Sequence, residues 1–317
     1  MATNNIGETV DALIKHIEQV VVGRTETLKQ ILCCWVAGGH VLVEDTPGTG
    51  KTMMARAIAR TFSSQFKRIQ FTPDLLPNDV LGFSLLDQKT GAFRFVEGPV
   101  FTSILLADEI NRATPRTQSS LLEAMGERQV SIEGKTYKLS PTFFVLATQN
   151  PLDNQGTFPL PEAQLDRFMM KLTLGYISPE LEIQMVKNHN NQHPIESLKP
   201  LQDEEIILKL RELLPAIKVS DEVYQYAMKL LQLTRTHPDL RYGGSPRAFL
   251  SLMRCAQAMA LLEGKNFVTP SQIYRLTIPV LHHRITLTGE AKVRGKTTID
   301  VLNSILEKNK VPVKMAS

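Results

Sequence analysis

Apolar residues in the first two thirds of the chain gather into short β-rich runs. HVLVED (residues 40–45), RIQFT (68–72), SILLADE (103–109), FFVLATQN (143–150) and MKLTL (170–174) each predict a strand. Between them the spacing turns helical, through Met53, Ala55, Ala57 and Ile58 after the first run and SSLLEAMGE after the third. Strands buried on both faces and separated by helices predict a parallel sheet in an α/β domain. Two segments interrupt that alternation. The stretch 73–99 carries QKTGAFRFVEGP, a hairpin with Gly91 in its turn, and RQVSIEGKTYKLS (128–140) predicts a second, turning at Glu133-Gly134. Both are additions to a minimal sheet, and plain surface decoration is the alternative use of either.

Beyond about residue 177 the pattern is helical. Ser178-Pro179-Glu180, Ser220-Asp221-Glu222, Ser245-Pro246 and Thr269-Pro270 each set a cap residue before a proline or an acid at the first helical position. The expected architecture is therefore an α/β domain over residues 1–177 and a smaller, mostly helical domain over 178–317. A length of 317 residues suits two cores better than one.

Composition narrows the class without naming a function. A hydrophobic share of 43% and a charged share of 21% are those of a soluble globular chain. The net charge of +4 comes from Lys and Arg scattered among acids, a solvated surface that argues little for nucleic acid. Cys33, Cys34 and Cys255 lie in apolar stretches without metal-ligand spacing, which predicts buried, reduced thiols and a cytoplasmic protein. The opening MATNNIGET lacks the basic-then-apolar order of a signal peptide. Apolar runs stay short of the roughly 18 residues that cross a bilayer, and residues 248–262, interrupted by Arg254, read as a buried helix. His282-His283 reads as a pair on a helix surface.

The strongest chemical signal is EDTPGTGKT (44–52), lying between a predicted strand and a predicted helix. This is the arrangement of a P-loop, in which Thr46, Pro47, Gly48, Thr49 and Gly50 form the loop and the backbone N–H groups of all but the proline cradle phosphates. Lys51 would reach the terminal phosphates and the Thr52 hydroxyl would ligate Mg²⁺. Asp45 stands where the motif expects its first glycine. Its carboxylate near a polyphosphate predicts weakened rather than abolished nucleotide affinity. ILLADE ends a strand on Asp108, suited to the Mg²⁺ site, and Glu109, suited to polarise a water as general base. Asn150, at the end of the fourth run, would face the crevice where α/β sheets bind ligands, in position to orient that water.

The stretches EDTPGTGKT, FTPDLLPNDVLG, LLADEINRATPRTQSSLLEAM, ATQNP, GTFPLPEAQLDRF and GGSPRA resemble, in order, the motifs of the MoxR family of AAA+ ATPases. The resemblance implies a P-loop AAA+ domain with a helix-two insert and a pre-sensor hairpin, then a helical lid. It also implies a homo-oligomeric, usually hexameric, ring with ATP and Mg²⁺ between neighbouring subunits. By the same resemblance Lys51 and Thr52 are Walker A, Asp108 and Glu109 Walker B, and Asn150 sensor one. Arg167 resembles the arginine finger and Arg247 sensor two, while Val22 and Gly23, before the first helix, match the adenine-pocket segment. A pairing of Arg167 with Asp166 or with a surface acid is the alternative. Arg112 and Arg116 could face a neighbouring subunit. The implied activity is Mg-ATP hydrolysis coupled to remodelling or maturation of a protein partner, often one carrying a von Willebrand factor A domain supplied in trans. Two other readings stay open: a nucleotide-gated scaffold that hydrolyses very slowly because of Asp45, and a DNA motor presenting Lys89, Arg94, Lys135 and Lys138 from its hairpins.

Overall fold

A computed structural model describes residues 3–46, 48–86, 88–89, 91–150, 156–189 and 194–309. Two helices, α1 (Thr3–Glu18) and α2 (Thr25–Val36), precede the first strand, β1 (Val41–Glu44). Helix α3 (Lys51–Thr61) and β2 (Phe66–Gln70) follow, then the short α4 (Pro77–Leu81) and a hairpin of β3 (Gly82–Leu86) and β4 (Phe93–Glu97). Strand β5 (Ile104–Asp108) leads to α5 (Pro115–Glu127), a hairpin of β6 (Gln129–Ile132) and β7 (Lys135–Lys138), and β8 (Phe144–Gln149). One helical turn, α6 (Glu162–Leu165), precedes β9 (Met170–Leu172). The remainder comprises α7 (Pro179–His189), α8 (Pro194–Ser197), α9 (Glu205–Leu213), α10 (Asp221–Thr236), α11 (Pro246–Leu262), α12 (Pro270–Leu281), α13 (Gly289–Val293) and α14 (Thr298–Lys308). A two-stranded ribbon of β10 (Leu240–Tyr242) and β11 (Thr286–Leu287) lies among these helices.

The main sheet runs β2-β5-β8-β1-β9 and is parallel throughout. All five predicted strands are present. The second starts two residues earlier than its apolar run, at Phe66, because β2 is an edge strand. An edge tolerates polar residues such as Lys67 and Arg68, which hide the strand's true start from a hydrophobicity reading. Side chains alternate between two cores, as a period of two requires. Val41, Val43, Ile104, Leu106, Phe144 and Leu146 face one core, shared with α1–α3 and the C-terminal helices. Leu42, Leu105, Ala107, Val145 and Ala147 face the other, against α5 and the second hairpin.

That second hairpin turns at Glu133 (φ 49°) and Gly134 (φ 76°). Both are left-handed, the two-residue turn whose twist matches the flanking strands. Aromatic contacts join the two hairpins, with the Phe95 and Tyr137 rings stacked at a centroid separation of 4.1 Å.

Four of the C-terminal helices, α7, α10, α11 and α12, start where the predicted caps place them. Ser245 accepts from Ala248 N at 3.2 Å, and Gln272 Oε1 accepts from Thr269 N at 2.6 Å. Ser220 stands at the N-cap of α10, yet its side chain makes no cap bond to the helix. Helix α11 is buried along most of its length, with Arg254 exposed. Cys33, Cys34 and Cys255 are free and fully buried.

Two sequence expectations need correction. Val22 and Gly23 do not precede the first helix: α1 comes before them, its Ile6, Val10, Leu13, Ile14 and Ile17 forming the apolar stripe of an amphipathic helix. His282 and His283 do not sit on a surface, for both are over nine-tenths buried. Their Nε2 atoms donate to the carbonyls of Lys171 (3.0 Å) and Phe168 (2.9 Å), tying the end of α12 to β9. The backbone around the edge strand needs donors there, and two neighbouring imidazoles supply them.

His40, just before β1, is fixed as a neutral ring. Its Nδ1 accepts from Val145 N (3.0 Å) while Nε2 donates to Met125 O (3.2 Å). Burial chiefly, with the Arg128 and Arg211 charges, pushes its pKa down to about 4. The unfolded chain protonates below about pH 6.5 and the folded chain only near pH 4, so the contribution is complete above pH 6.5 and lost as pH falls through that window. From pH 6.5 to 5 the loss should be about 2 kcal/mol, and His40→Gln should flatten this part of the slope. Urea unfolding at about pH 7 and about pH 5 measures both.

Candidate functional site

The candidate site forms where β1, β5 and β8 end. Because these strands run parallel, the residues following each emerge at one edge of the sheet. After β1 the chain makes a loop and enters α3 at Lys51, with Gly50 as N-cap. Gly48 (φ 86°) and Gly50 (φ 88°) are left-handed, and a β-carbon built on either would meet nothing within 4 Å. Conformation rather than crowding calls for glycine at both, and the space they leave open lies at a helix N-terminus, where backbone N–H groups favour an anion.

Lys51 folds back over this loop, its Nζ donating to Asp45 O (3.0 Å) and Thr46 O (2.8 Å). Burial lowers its pKa, and the nearby charges of Asp45, Asp108 and Glu109 act the other way. Asp45 is itself buried. One carboxylate oxygen accepts from Thr46 N at 2.8 Å. Its charge also supports the buried Arg24, whose guanidinium donates to the carbonyls of Leu174 and Gly175 after β9. Asp45 thus braces its own loop and balances two cations, which offsets part of the repulsion its charge would exert on a phosphate.

The acids at the end of β5 are held in a network. Asp108 Oδ1 accepts from the Thr148 hydroxyl (2.7 Å), and that hydroxyl accepts from Glu109 N (2.9 Å). Asp108 Oδ2 takes the Arg68 guanidinium, with Nε at 2.9 Å and Nη2 at 2.8 Å. Glu109 occupies the left-handed region (φ 55°), turning its side chain toward Gln70 Nε2 (2.8 Å) and Arg112 Nη1 (3.0 Å). Such a conformation is uncommon for a non-glycine residue. Here it redirects the chain immediately after the strand.

Gly48, Thr49, Gly50, Lys51, Thr52, Asp108, Glu109 and Asn150 all wall one cleft of about 350 Å³. Thr46 joins them through its bond to Lys51, and Pro47 lies outside the described residues. A hard cation fits this donor set, because the Asp108 carboxylate and the Thr52 hydroxyl line the same cleft and both are oxygen donors. Among the described residues no group of three or more His, Cys, Asp or Glu could hold a metal alone.

Other candidate residues lie away from these walls. Gly23 (φ 71°) packs against Ile177 and Leu181, with the Leu181 side chain 2.6 Å from where a β-carbon would stand, and Val22 adjoins it. Arg167 donates to Leu122 O at 2.6 Å. Arg247, largely exposed, approaches Asp166 Oδ2 at 3.6 Å, and Arg284 reaches Asp166 Oδ1 at 3.2 Å. Asp166 therefore pairs with Arg247 and Arg284, not with Arg167 as the surface alternative had it. Arg112 pairs with Glu109 inside the chain, and Arg116 is exposed. Arg68, Gln70 and Thr148 escaped the sequence reading. Thr148 carried a usable signal, a polar residue next to the end of an otherwise apolar buried strand, whereas two polar residues on an edge strand look like ordinary surface.

Comparison with known proteins followed the same lines. The family model described as "ATPase family associated with various cellular activities (AAA)" matches residues 40–170, and "AAA lid domain" matches 232–305. The chain is 45% identical to an uncharacterized Bacillus subtilis protein, YeaC, over 96% of this chain and 95% of that protein. It is 36% identical to "Chaperone MoxR1" of Mycobacterium tuberculosis (96% and 82% covered) and 30% identical to "Protein MoxR" of Paracoccus denitrificans (89% and 90%). A crystal structure of a Cytophaga hutchinsonii protein, given an ATPase assignment in its name, superposes with a TM-score of 0.91 at 36% identity, covering 98% of this chain and 97% of that one.

Thr148→Val would leave Asp108 Oδ1 and Glu109 N without their shared partner. It should destabilise the fold by about 1–3 kcal/mol, whereas Thr148→Ser should lose less than about 1 kcal/mol. Denaturant titration of the three proteins checks this.

Proposed function

The chain belongs to the MoxR family of AAA+ ATPases, and on that premise we propose that it binds and hydrolyses Mg-ATP to remodel or mature a protein partner. One observation carries the reading: Lys51, Thr52, Asp108, Glu109 and Asn150 converge on one cleft at the C-terminal edge of a parallel sheet. In this reading the backbone N–H groups of residues 48–52 receive the phosphates at the start of α3. Lys51 exchanges its two neutral loop carbonyls for phosphate oxygens, which gives its charge an anionic partner in direct contact. Thr52 and Asp108 would hold Mg²⁺, which would supply positive charge to offset the negative charge of the phosphates. Glu109 takes the proton from the attacking water that Asn150 orients, and must first loosen its hold on Gln70 and Arg112.

We assign Arg167 to the neighbouring subunit's nucleotide, in a hexameric ring, because it lies off the walls of its own cleft. Arg247 would complete the site from the lid when Asp166 releases it. Val22 and Gly23, beside the start of α7, would border the adenine. The domain division follows the same logic, with residues 1–177 binding nucleotide and 178–317 acting as the lid, in a cytoplasmic protein. A partner protein is supported by the first hairpin, where Phe83, Leu85, Leu86 and Phe93 are exposed. The family relation suggests a von Willebrand factor A domain in trans, with metal or cofactor insertion as one form of the maturation. A slow, nucleotide-gated scaffold is the second reading, favoured by the bonds that hold Glu109 back.

Lys51→Ala should abolish nucleotide binding, and Glu109→Gln should retain it while cutting turnover by ~100-fold or more. Equal phosphate release by wild type and Glu109→Gln would leave only the scaffold. Arg167→Ala should bind ATP normally and lose ~1000-fold in turnover. Mixing it with Lys51→Ala subunits, which lack bound nucleotide but supply Arg167, should restore part of the activity if the arginine acts in trans.

A further inference from the structure

Asp108 is over nine-tenths buried and both its oxygens are already engaged. The two engagements differ in kind. Thr148 reaches Oδ1 from the interior strand β8 and is committed as well to Glu109 N, so it belongs to the scaffold. Arg68 reaches Oδ2 from the edge strand β2, its side chain is 49% exposed, and it forms one wall of the cleft. It is therefore the partner of Asp108 that can leave. A second tie, Arg68 Nη2 to Gln70 Oε1 at 3.3 Å, keeps its path along the wall that carries Gln70 and Glu109.

We propose that Arg68 is the resident cation of the Asp108 carboxylate and competes with Mg²⁺ for it, yielding when metal and nucleotide enter together. The inference rests on the Mg-ATP reading of this cleft. Its basis is charge. The cleft and its loop bring Asp45, Asp108 and Glu109 close to Lys51. Without a counter-charge the Asp108 carboxylate would repel a polyphosphate bound in the same cleft. Arg68 supplies that counter-charge. A guanidinium and a divalent ion cannot both sit on Oδ2 without repelling each other, so engaging the metal there means displacing the arginine. The displaced side chain, already half exposed, turns to solvent.

The competition makes two opposite predictions for one substitution. Arg68→Gln should weaken binding of a fluorescent ATP analogue in EDTA by about tenfold, since Asp108 then faces the phosphates unneutralised. The same substitution should lower, by about threefold or more, the Mg²⁺ concentration that half-saturates the metal's effect on analogue binding, because Asp108 is free to receive the ion. Arg68→Lys, which keeps the charge, should stay within about threefold of wild type in EDTA. An unchanged Mg²⁺ midpoint in a folded Arg68→Gln protein would overturn the proposal. So would a parallel weakening with and without metal, which is what loss of a merely structural contact would produce. If wild type bound no analogue even at saturating Mg²⁺, the nucleotide reading itself would fall, and this inference with it.

Discussion

Parallel pairing of β5, β8 and β1 is the constraint on which the rest depends. It delivers the ends of three distant chain segments to one edge of the sheet, so that the P-loop, the acids after β5 and the amide after β8 share a cleft. The pairing also explains the interlocking around Thr148. Its hydroxyl can serve both Asp108 and Glu109 because β8 lies beside β5 in register, Leu106 opposite Leu146 and Ala107 opposite Ala147. A one-residue slip would turn Thr148 to the other face and break both bonds.

The opposite edge of the sheet joins the site to the helical half. Strand β9 is where the backbone meets His282, His283 and Arg284, and just beyond it Arg24 holds the carbonyls of Leu174 and Gly175. Arg24 also feels the charge of Asp45 at the base of the phosphate loop. Charge attraction at one end and hydrogen bonds at the other thus link the loop through Arg24 to the segment entering α7. Asp166, shared by Arg247 and Arg284, is a second link between the sheet's end and the helices α11 and α12. These contacts are polar and join the sheet's edge to the helical half by hydrogen bonds and ion pairs.

Asp45 is the residue whose meaning changed most. In the sequence it is a missing glycine and an unwelcome charge. In the fold it bonds to Thr46 N and balances Arg24 and Lys51, so the charge is partly spent before any phosphate approaches. Gly48 and Gly50 retain the left-handed conformations that the loop requires, which is why the loop forms despite the substitution.

The amino-acid order alone determined the five strands of the main sheet, their parallel class, both hairpins and the starts of α7, α10, α11 and α12, because burial on two faces and cap chemistry leave local marks; the short β10-β11 ribbon left none. It also marked Lys51, Thr52, Asp108, Glu109 and Asn150, whose spacing relative to strand ends is itself local. Helix α1 has a regular apolar stripe that the sequence does display, but it precedes the alternation of strands and helices that marks the α/β domain. Only tertiary structure decided which residues hold the acids. Arg68 and Gln70 are separated from Asp108 and Glu109 by roughly forty positions, and no local pattern distinguishes an edge-strand arginine facing solvent from one facing a carboxylate. The burial of His282 and His283 was equally invisible, for it depends on where α12 comes to rest against β9. Partner choice among charged and polar side chains is set by proximity across the fold, and proximity is what the linear order does not carry.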